Sequence, residues 1–266
     1  MSIAVKKSSV HVNVGVLKEQ FASEHAFFFI IKGATKCFDG NKTHIFKSGD
    51  FGIIRKNRLA KYTKEKEDNE KVFIFFDEDF LKKFQRQHPT EISEFHSNET
   101  FIPLRKNILV PNFIDSLILY YNSSGEINKV FADVKREELL LILLQNQPEL
   151  AAVLFDYGMP QKVDLEEFMN RNYKFNVSVD RFAYLTGRSL SAFKRDFKQI
   201  FNDTPNRWLI RRRLQEAYFL IEKASKRPTE IYLDLGFETL SHFSFTFKKQ
   251  YGHTPTKLAE SHRNVS

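Results

Sequence analysis

The sequence predicts an α+β protein in two parts. A front part of short strands makes a small β-barrel or sandwich with flanking helices, and an all-α back part holds two helix-turn-helix units joined by a long helix. Three observations predict this. Phe-rich apolar runs of strand length, separated by turn signals, occupy residues 26–76. Apolar residues recur at helical spacing from about residue 111 onward. A short pattern in the back part occurs twice, at an offset of fifty residues.

The strands come first. Ala26 to Lys32 is an apolar run stopped by Gly33, and Thr35 to Phe38 continues it. Asp39-Gly40-Asn41 is a hairpin turn signal, so Thr43 to Phe46 is the partner strand. Ser48-Gly49-Asp50 turns the chain into Phe51 to Ile54, and Val72 to Phe76 is a further strand. The 28 Phe residues supply ample core material. Helices follow: Asp79 to His88, Pro111 to Tyr121, Glu126 to Gln145 and Leu150 to Phe155, with Ser123-Ser124-Gly125 as a break. In the third, Ile127, Val130, Val134, Leu141 and Leu144 recur at helical spacing. It has two readings, because Leu139 to Leu144 is apolar on every face: it packs on its own sheet, or it pairs with a second subunit. Asp156 to Pro160 is rich in turn residues, which sets domains of 1–158 and 159–266.

The repeat is the most informative feature. Leu190-Ser191-Ala192-Phe193-Lys194-Arg195-Asp196-Phe197-Lys198 returns as Leu240-Ser241-His242-Phe243-Ser244-Phe245-Thr246-Phe247-Lys248, and each copy is followed at the same distance by Thr-Pro, 204–205 and 254–255. Phe193 and Phe197 are four apart and share a helix face, as do Phe243 and Phe247. That face must be buried on the preceding helix, by Phe182, Ala183 and Leu185 in the first copy and by Ile231, Leu233 and Leu235 in the second. Gly187 and Gly236 supply the turns, and the Thr-Pro pairs read as an N-cap followed by Pro at the first helical position. Pro205 to Lys223 reads as the long joining helix, with Trp208, Leu209, Leu214, Ala217, Leu220 and Ile221 as its apolar stripe and Arg211-Arg212-Arg213 on or beside its polar face.

Charge agrees with this division. Residues 160–266 hold 19 Lys/Arg against 12 Asp/Glu, which is +7 of the formal +8. Such a field attracts polyanions. The solvent side of the first repeat helix offers Ser191, Lys194, Arg195 and Lys198, which suit base edges and phosphates. No apolar run is long enough to span a bilayer, and Met1 to Val10 lacks the apolar core of a signal peptide. The single cysteine, Cys37, reads as a half-buried thiol, and the setting as cytoplasmic. His25 and His44 stand alone, so neither metal nor other cofactor is expected. No Gly-rich phosphate loop or nucleophile elbow points to an enzyme. The competing reading is a protein-interaction module with only non-specific DNA binding.

At these residues the sequence resembles the AraC/XylS family of bacterial regulators, over about residues 163–260. The marks are Phe182-Ala183, Gly187, Ser189, Phe193, Arg195, Phe197-Lys198, Thr204-Pro205, Trp208, Arg213-Leu214 and Ala217. They continue with Ile231, Gly236-Phe237, Phe243, Phe247-Lys248, Gly252 and Thr254-Pro255. Matched position by position, the resemblance implies contacts to duplex DNA bases from Ser191, Ala192, Lys194 and Arg195 in the first unit and from Leu240, Ser241, Ser244 and Phe245 in the second. Arg195 is expected on guanine, whose O6 and N7 a guanidinium meets bidentately. Lys198, Lys248 and Lys249 are the phosphate candidates. Two positions depart from the family: Phe245 stands where Arg is common, and Tyr232 where Ala is common. Phe245 is either an apolar contact, for example to a thymine methyl, or a buried residue. The front part is similar to the family's cupin-like barrels at Phe28 to Gly33 and the Gly49-Asp50 turn. The resemblance implies a small-molecule or protein effector there, a homodimer through helices within 111–155, and an activator that contacts RNA polymerase.

Overall fold

The computed structural model describes residues 10–12, 20–63, 69–92, 97–120 and 127–263, and the chain divides between Gly158 and Met159 into two compact units. Residues 1–9 and the Ser123–Gly125 break lie outside the described residues.

The first unit contains strands β1 (Val10–Val12), β2 (Phe21–Ala22), β3 (His25–Lys32), β4 (Ala34–Phe38), β5 (Thr43–Lys47), β6 (Phe51–Ile54), β7 (Arg58–Leu59), β8 (Lys61–Thr63), β9 (Glu70–Phe76) and β10 (Phe101–Pro103). They form three antiparallel sheets, ordered β1-β9-β3-β6-β10, β5-β4-β8 and β2-β7. Among the described residues no ladder joins these into a closed barrel. The central strand β3 is buried on both faces, which is why it reads as a continuous apolar run. Phe27 and Phe29 point to a core shared with the helices, while Ala26, Phe28 and Ile30 point to a core shared with the three-stranded sheet. The second core is tightly filled. Phe28 lies 4.6 Å from the Phe46 ring, Cys37 is fully rather than half buried within it, and the space left among Phe28, Cys37, Tyr62 and Phe73 is only about 10 Å³. His44, on β5, bonds Asp39 at 2.7 Å.

The first unit's helices are α1 (Glu78–Gln87), α2 (Leu109–Leu117), α3 (Lys129–Asn146) and α4 (Ala151–Leu154). Asp77 caps α1 by accepting from the Phe80 amide at 2.9 Å. The α2 helix begins two residues before Pro111 and gives way to a 3-10 turn at 118–120. The α3 helix corrects the sequence reading of its buried face. Ala132, Leu139, Leu140 and Leu143 are inside, whereas Val130 (72% exposed), Val134 and Leu141 of the expected stripe face solvent. The helix is apolar on two sides, so period alone could not choose between them. Burying one side also takes Arg136 inward, where its terminal nitrogens donate to Asp77 at 2.7 Å, Asp133 at 2.6 Å and the Phe75 carbonyl. No helix among the described residues is long and apolar enough to cross a membrane.

The second unit is helical: α5 (Leu165–Asn172), α6 (Val179–Leu185), α7 (Leu190–Phe201), α8 (Pro205–Glu222), α9 (Pro228–Ile231), α10 (Leu240–Tyr251) and α11 (Pro255–Arg263). Phe193, Phe197, Phe243 and Phe247 are each completely buried. One expected partner of the second pair is misplaced. Leu233 is 53% exposed, and Leu235 with Phe237 fills the position instead. The helix there lasts a single turn, so helical spacing no longer holds beyond Ile231. Of the two expected Thr caps, Thr254 accepts from the Lys257 amide at 3.2 Å. Thr204 makes no side-chain cap; its own amide donates to Asp203 instead.

His25 opens β3 in a fully buried site. Its Nδ1 accepts from the Lys56 amide at 3.3 Å, and its Nε2 has no hydrogen-bond partner among the described residues. Burial, helped by Lys56 and Arg55, lowers its pKa to about 3. The folded state therefore holds this ring neutral where the unfolded chain would protonate it. The resulting stabilisation is complete above the unfolded value near 6.5 and is lost as pH falls from there toward 3. Denaturant midpoints of the wild type should fall across that window more steeply than those of His25→Gln; parallel pH profiles would show that His25 is not the titrating group.

Candidate nucleic-acid interface

Each helix-turn-helix unit is assembled by local chemistry. In the first, Ser178 caps α6 by accepting from the Arg181 amide. At the end of α6 the Thr186 hydroxyl donates to the carbonyls of Phe182 and Ala183. Gly187 then takes φ +65°, and a Cβ there would lie 2.6 Å from the backbone of Gln161 and Lys162, so only glycine fits this turn. Arg188 reaches over the turn to Asp196 at 3.2 Å, and this bond holds the Asp196 carboxyl below its usual range. Ser189 caps α7 by accepting from the Ala192 amide. The helix closes at Asn202, a left-handed residue whose amide donates to Lys198.

The second unit repeats the plan. Gly236 has φ +85°, and an added Cβ would meet the Lys174 carbonyl at 2.8 Å. Thr239 caps α10 through the His242 amide, and Gly252 closes the helix with a left-handed φ of +79°.

The two buried Phe pairs fix how α7 and α10 are rolled about their axes, and therefore what each shows to solvent. On α7 the exposed residues include Ser191, Lys194, Arg195 and Lys198, while Ala192 is half-buried. The Arg195 side chain is 70% exposed and touches Asp196 at 3.2 Å, which leaves most of its donors available. On α10, Ser241, Phe245, Lys248 and Lys249 are exposed, and Leu240 and Ser244 are half-buried. Phe245 is 69% exposed, which removes the alternative that it is a core residue. The sequence reading missed His242. It is exposed on the first turn of α10 and lies edge-on to Phe237 at 5.7 Å. The offset of fifty from Ala192 was the signal that could have found it. Among the described residues no cluster of three or more potential metal ligands occurs.

Arg213 is the second correction. Expected on or beside the polar face of the joining helix, it is buried between the two helix-turn-helix motifs. Its Nε donates to the Tyr173 carbonyl at 2.7 Å, one terminal nitrogen to the Phe175 carbonyl at 2.7 Å, and the other to the Gly236 carbonyl at 2.9 Å. Tyr173 and Phe175 lie on the chain leaving α5, and Gly236 is the turn of the second unit. A single side chain thus ties both halves to α8. Burial lowers its pKa to about 10, which still leaves it charged at neutral pH. Arg211 and Arg212 remain outside: Arg211 pairs with Asp203 at 2.7 Å, and Arg212 lies over the Tyr173 ring.

Two capped, Phe-anchored helices that each follow a glycine turn, held on one joining helix, define a DNA-binding transcription regulator with a pair of helix-turn-helix units. The sequence comparisons agree. The helix-turn-helix domain family matches residues 182–261, and the ExsA N-terminal regulatory domain family matches residues 25–153. The virulence regulon transcriptional activator VirF of Yersinia enterocolitica is 24% identical over 88% of this chain and 89% of its own. The HTH-type transcriptional regulator ExsA of Pseudomonas aeruginosa is 22% identical over 94% and 91%. Among solved structures, an apo ToxT variant of Vibrio cholerae is similar over 95% of this chain and 97% of its own, at 13% identity and a TM-score of 0.45. The chain thus carries an AraC-type helix-turn-helix domain and is a sequence-specific DNA-binding regulator, not an enzyme.

The Arg213 bridge makes a direct prediction. Arg213→Lys keeps the charge but cannot reach three carbonyls, and each buried carbonyl left without a donor costs about 1–3 kcal/mol. Trp208 is the only tryptophan, so its fluorescence reports this unit alone. The denaturant midpoint followed by that signal should drop clearly in the variant; an unchanged midpoint would remove Arg213 from this role.

Proposed function

We propose that this regulator is a transcriptional activator that grips two successive major grooves of duplex DNA, with α7 as the main sequence reader and α10 as the second. The observation that carries this is the shared roll of the two helices, which turns matching faces to solvent. Ser191, Ala192, Lys194 and Arg195 meet bases in the first half of the site. Leu240, Ser241, Ser244 and Phe245 meet them in the second. Lys198, Lys248 and Lys249 contact phosphates. Activation is supported by the names of the relatives, VirF among them, and implies a contact with RNA polymerase in the cytoplasm.

The first unit is the regulatory and dimerisation domain, with cupin-like sheets. Its interior is filled by Phe side chains, which favours a protein effector over a metabolite enclosed between the sheets. A homodimer is supported by the apolar outer face of α3, where Val130, Phe131, Val134 and Leu141 face solvent.

Selection of bound sequences from random duplex DNA should yield a motif with two parts about 10 bp apart. Recovery of no motif, with binding that only collapses as salt rises, would reduce the activity to polyanion binding. Arg195→Ala should lose about 1–3 kcal/mol on the selected site and relax one base position. Equal weakening on random DNA would assign Arg195 to phosphate. Val134→Glu should convert the sedimenting species from dimer to monomer; a dimer that persists would move the interface elsewhere.

A further inference from the structure

The two reading helices carry different chemistry at equivalent positions. Phe193, Phe197, Phe243 and Phe247 are all completely buried, so α7 and α10 have the same roll, and residue 245 emerges where residue 195 does. At that place the first unit offers a guanidinium and the second a phenyl ring, each about as exposed as the other. The contrast extends along the helix. The first two turns of α10, Leu240 to Phe247, contain no Lys, Arg, Asp or Glu. The Thr246 hydroxyl is already used within the helix, donating to the His242 carbonyl at 2.7 Å.

We propose that Phe245 is a specificity-determining residue that selects thymine in the second half of the site by packing on its C5-methyl group. The proposal rests on the DNA-binding reading of α10 and names what that helix reads. The thymine methyl is the one apolar feature on the major-groove edges of the bases. A phenyl ring gains by covering it and loses nothing there, because the methyl needs no hydrogen-bond partner. Against guanine the same ring would cover O6 and N7 without donating to either, and acceptors stripped of water without a donor are costly. Phe245 therefore favours thymine and rejects the base that Arg195 is suited to. The two halves of the operator differ accordingly: one is read by charge-assisted hydrogen bonds, the other by shape and a methyl group.

The test uses the full chain and duplexes recovered by it from a random pool. Each thymine of the second half is replaced in turn by deoxyuridine, which pairs identically and lacks only the methyl. At one position the wild type should bind about three- to fourfold more weakly, the amount one buried methyl is worth. Phe245→Ala, with its melting temperature unchanged because the residue is exposed, should bind the thymine and deoxyuridine duplexes equally. A two-part motif whose second half is indifferent to deoxyuridine throughout would overturn the methyl contact and leave the DNA-binding reading intact. An equal thymine preference in wild type and Phe245→Ala would overturn the assignment to Phe245. A pool that yields no motif would overturn both readings together.

Discussion

A buried guanidinium with three backbone carbonyls around it governs the helical unit. Arg213 lies at the middle of α8, and its partners come from the chain leaving α5 and from the glycine turn of the second helix-turn-helix. A charge taken out of water is tolerated only where its donors are matched, and here the planar fork meets three acceptors that the helix ends and the turn leave free. The geometry at Gly236 depends on the same contact, since a side chain there would strike both the Lys174 carbonyl and the Arg213 guanidinium. Two helix-turn-helix units on one chain are useful for reading DNA only if their separation and roll are fixed, and this interaction contributes to fixing both.

Around that centre, the reading surfaces follow from packing. The paired Phe residues drive α7 and α10 onto their neighbours, and whatever lies on the far side of each helix is turned outward. Capping by Ser189 and Thr239 starts both helices at corresponding residues, so the offset of fifty in sequence becomes equivalence in space. The units are alike in frame and unlike in what they present. The first puts Lys194 and Arg195 on its surface, with Asp196 drawn aside by Arg188; the second presents hydroxyls, an imidazole and a phenyl ring before its two lysines begin. The second reading helix therefore presents less charge over its first two turns than the first.

The strand-rich unit is built on different physics. Its central strand is covered on both faces, by helices on one side and by a second sheet on the other. Aromatic side chains take up the interior, which leaves little room for a ligand between the sheets. On the outside of this unit, α3 turns Val130, Phe131, Val134 and Leu141 to solvent.

Much of this architecture was legible in the sequence because it is local. Strand runs bounded by turn residues, the Phe spacing of four, the turn glycines and the basic surplus of residues 160–266 are read without knowing what packs on what. From them came the two units, the repeat, and the exposed Ser191, Lys194, Arg195 and Lys198. The tertiary structure decided what local pattern leaves degenerate. An α3 helix apolar on two sides does not reveal which side is inside. An arginine triplet on an amphipathic helix does not reveal that its third member meets carbonyls forty and thirty-eight residues before it and twenty-three after it. A short α9 breaks the spacing that placed Leu233 in the core, and nothing near Phe245 says whether that ring is covered. Burial is a property of pairs of surfaces, and a sequence lists only one surface at a time; the fold supplied the other.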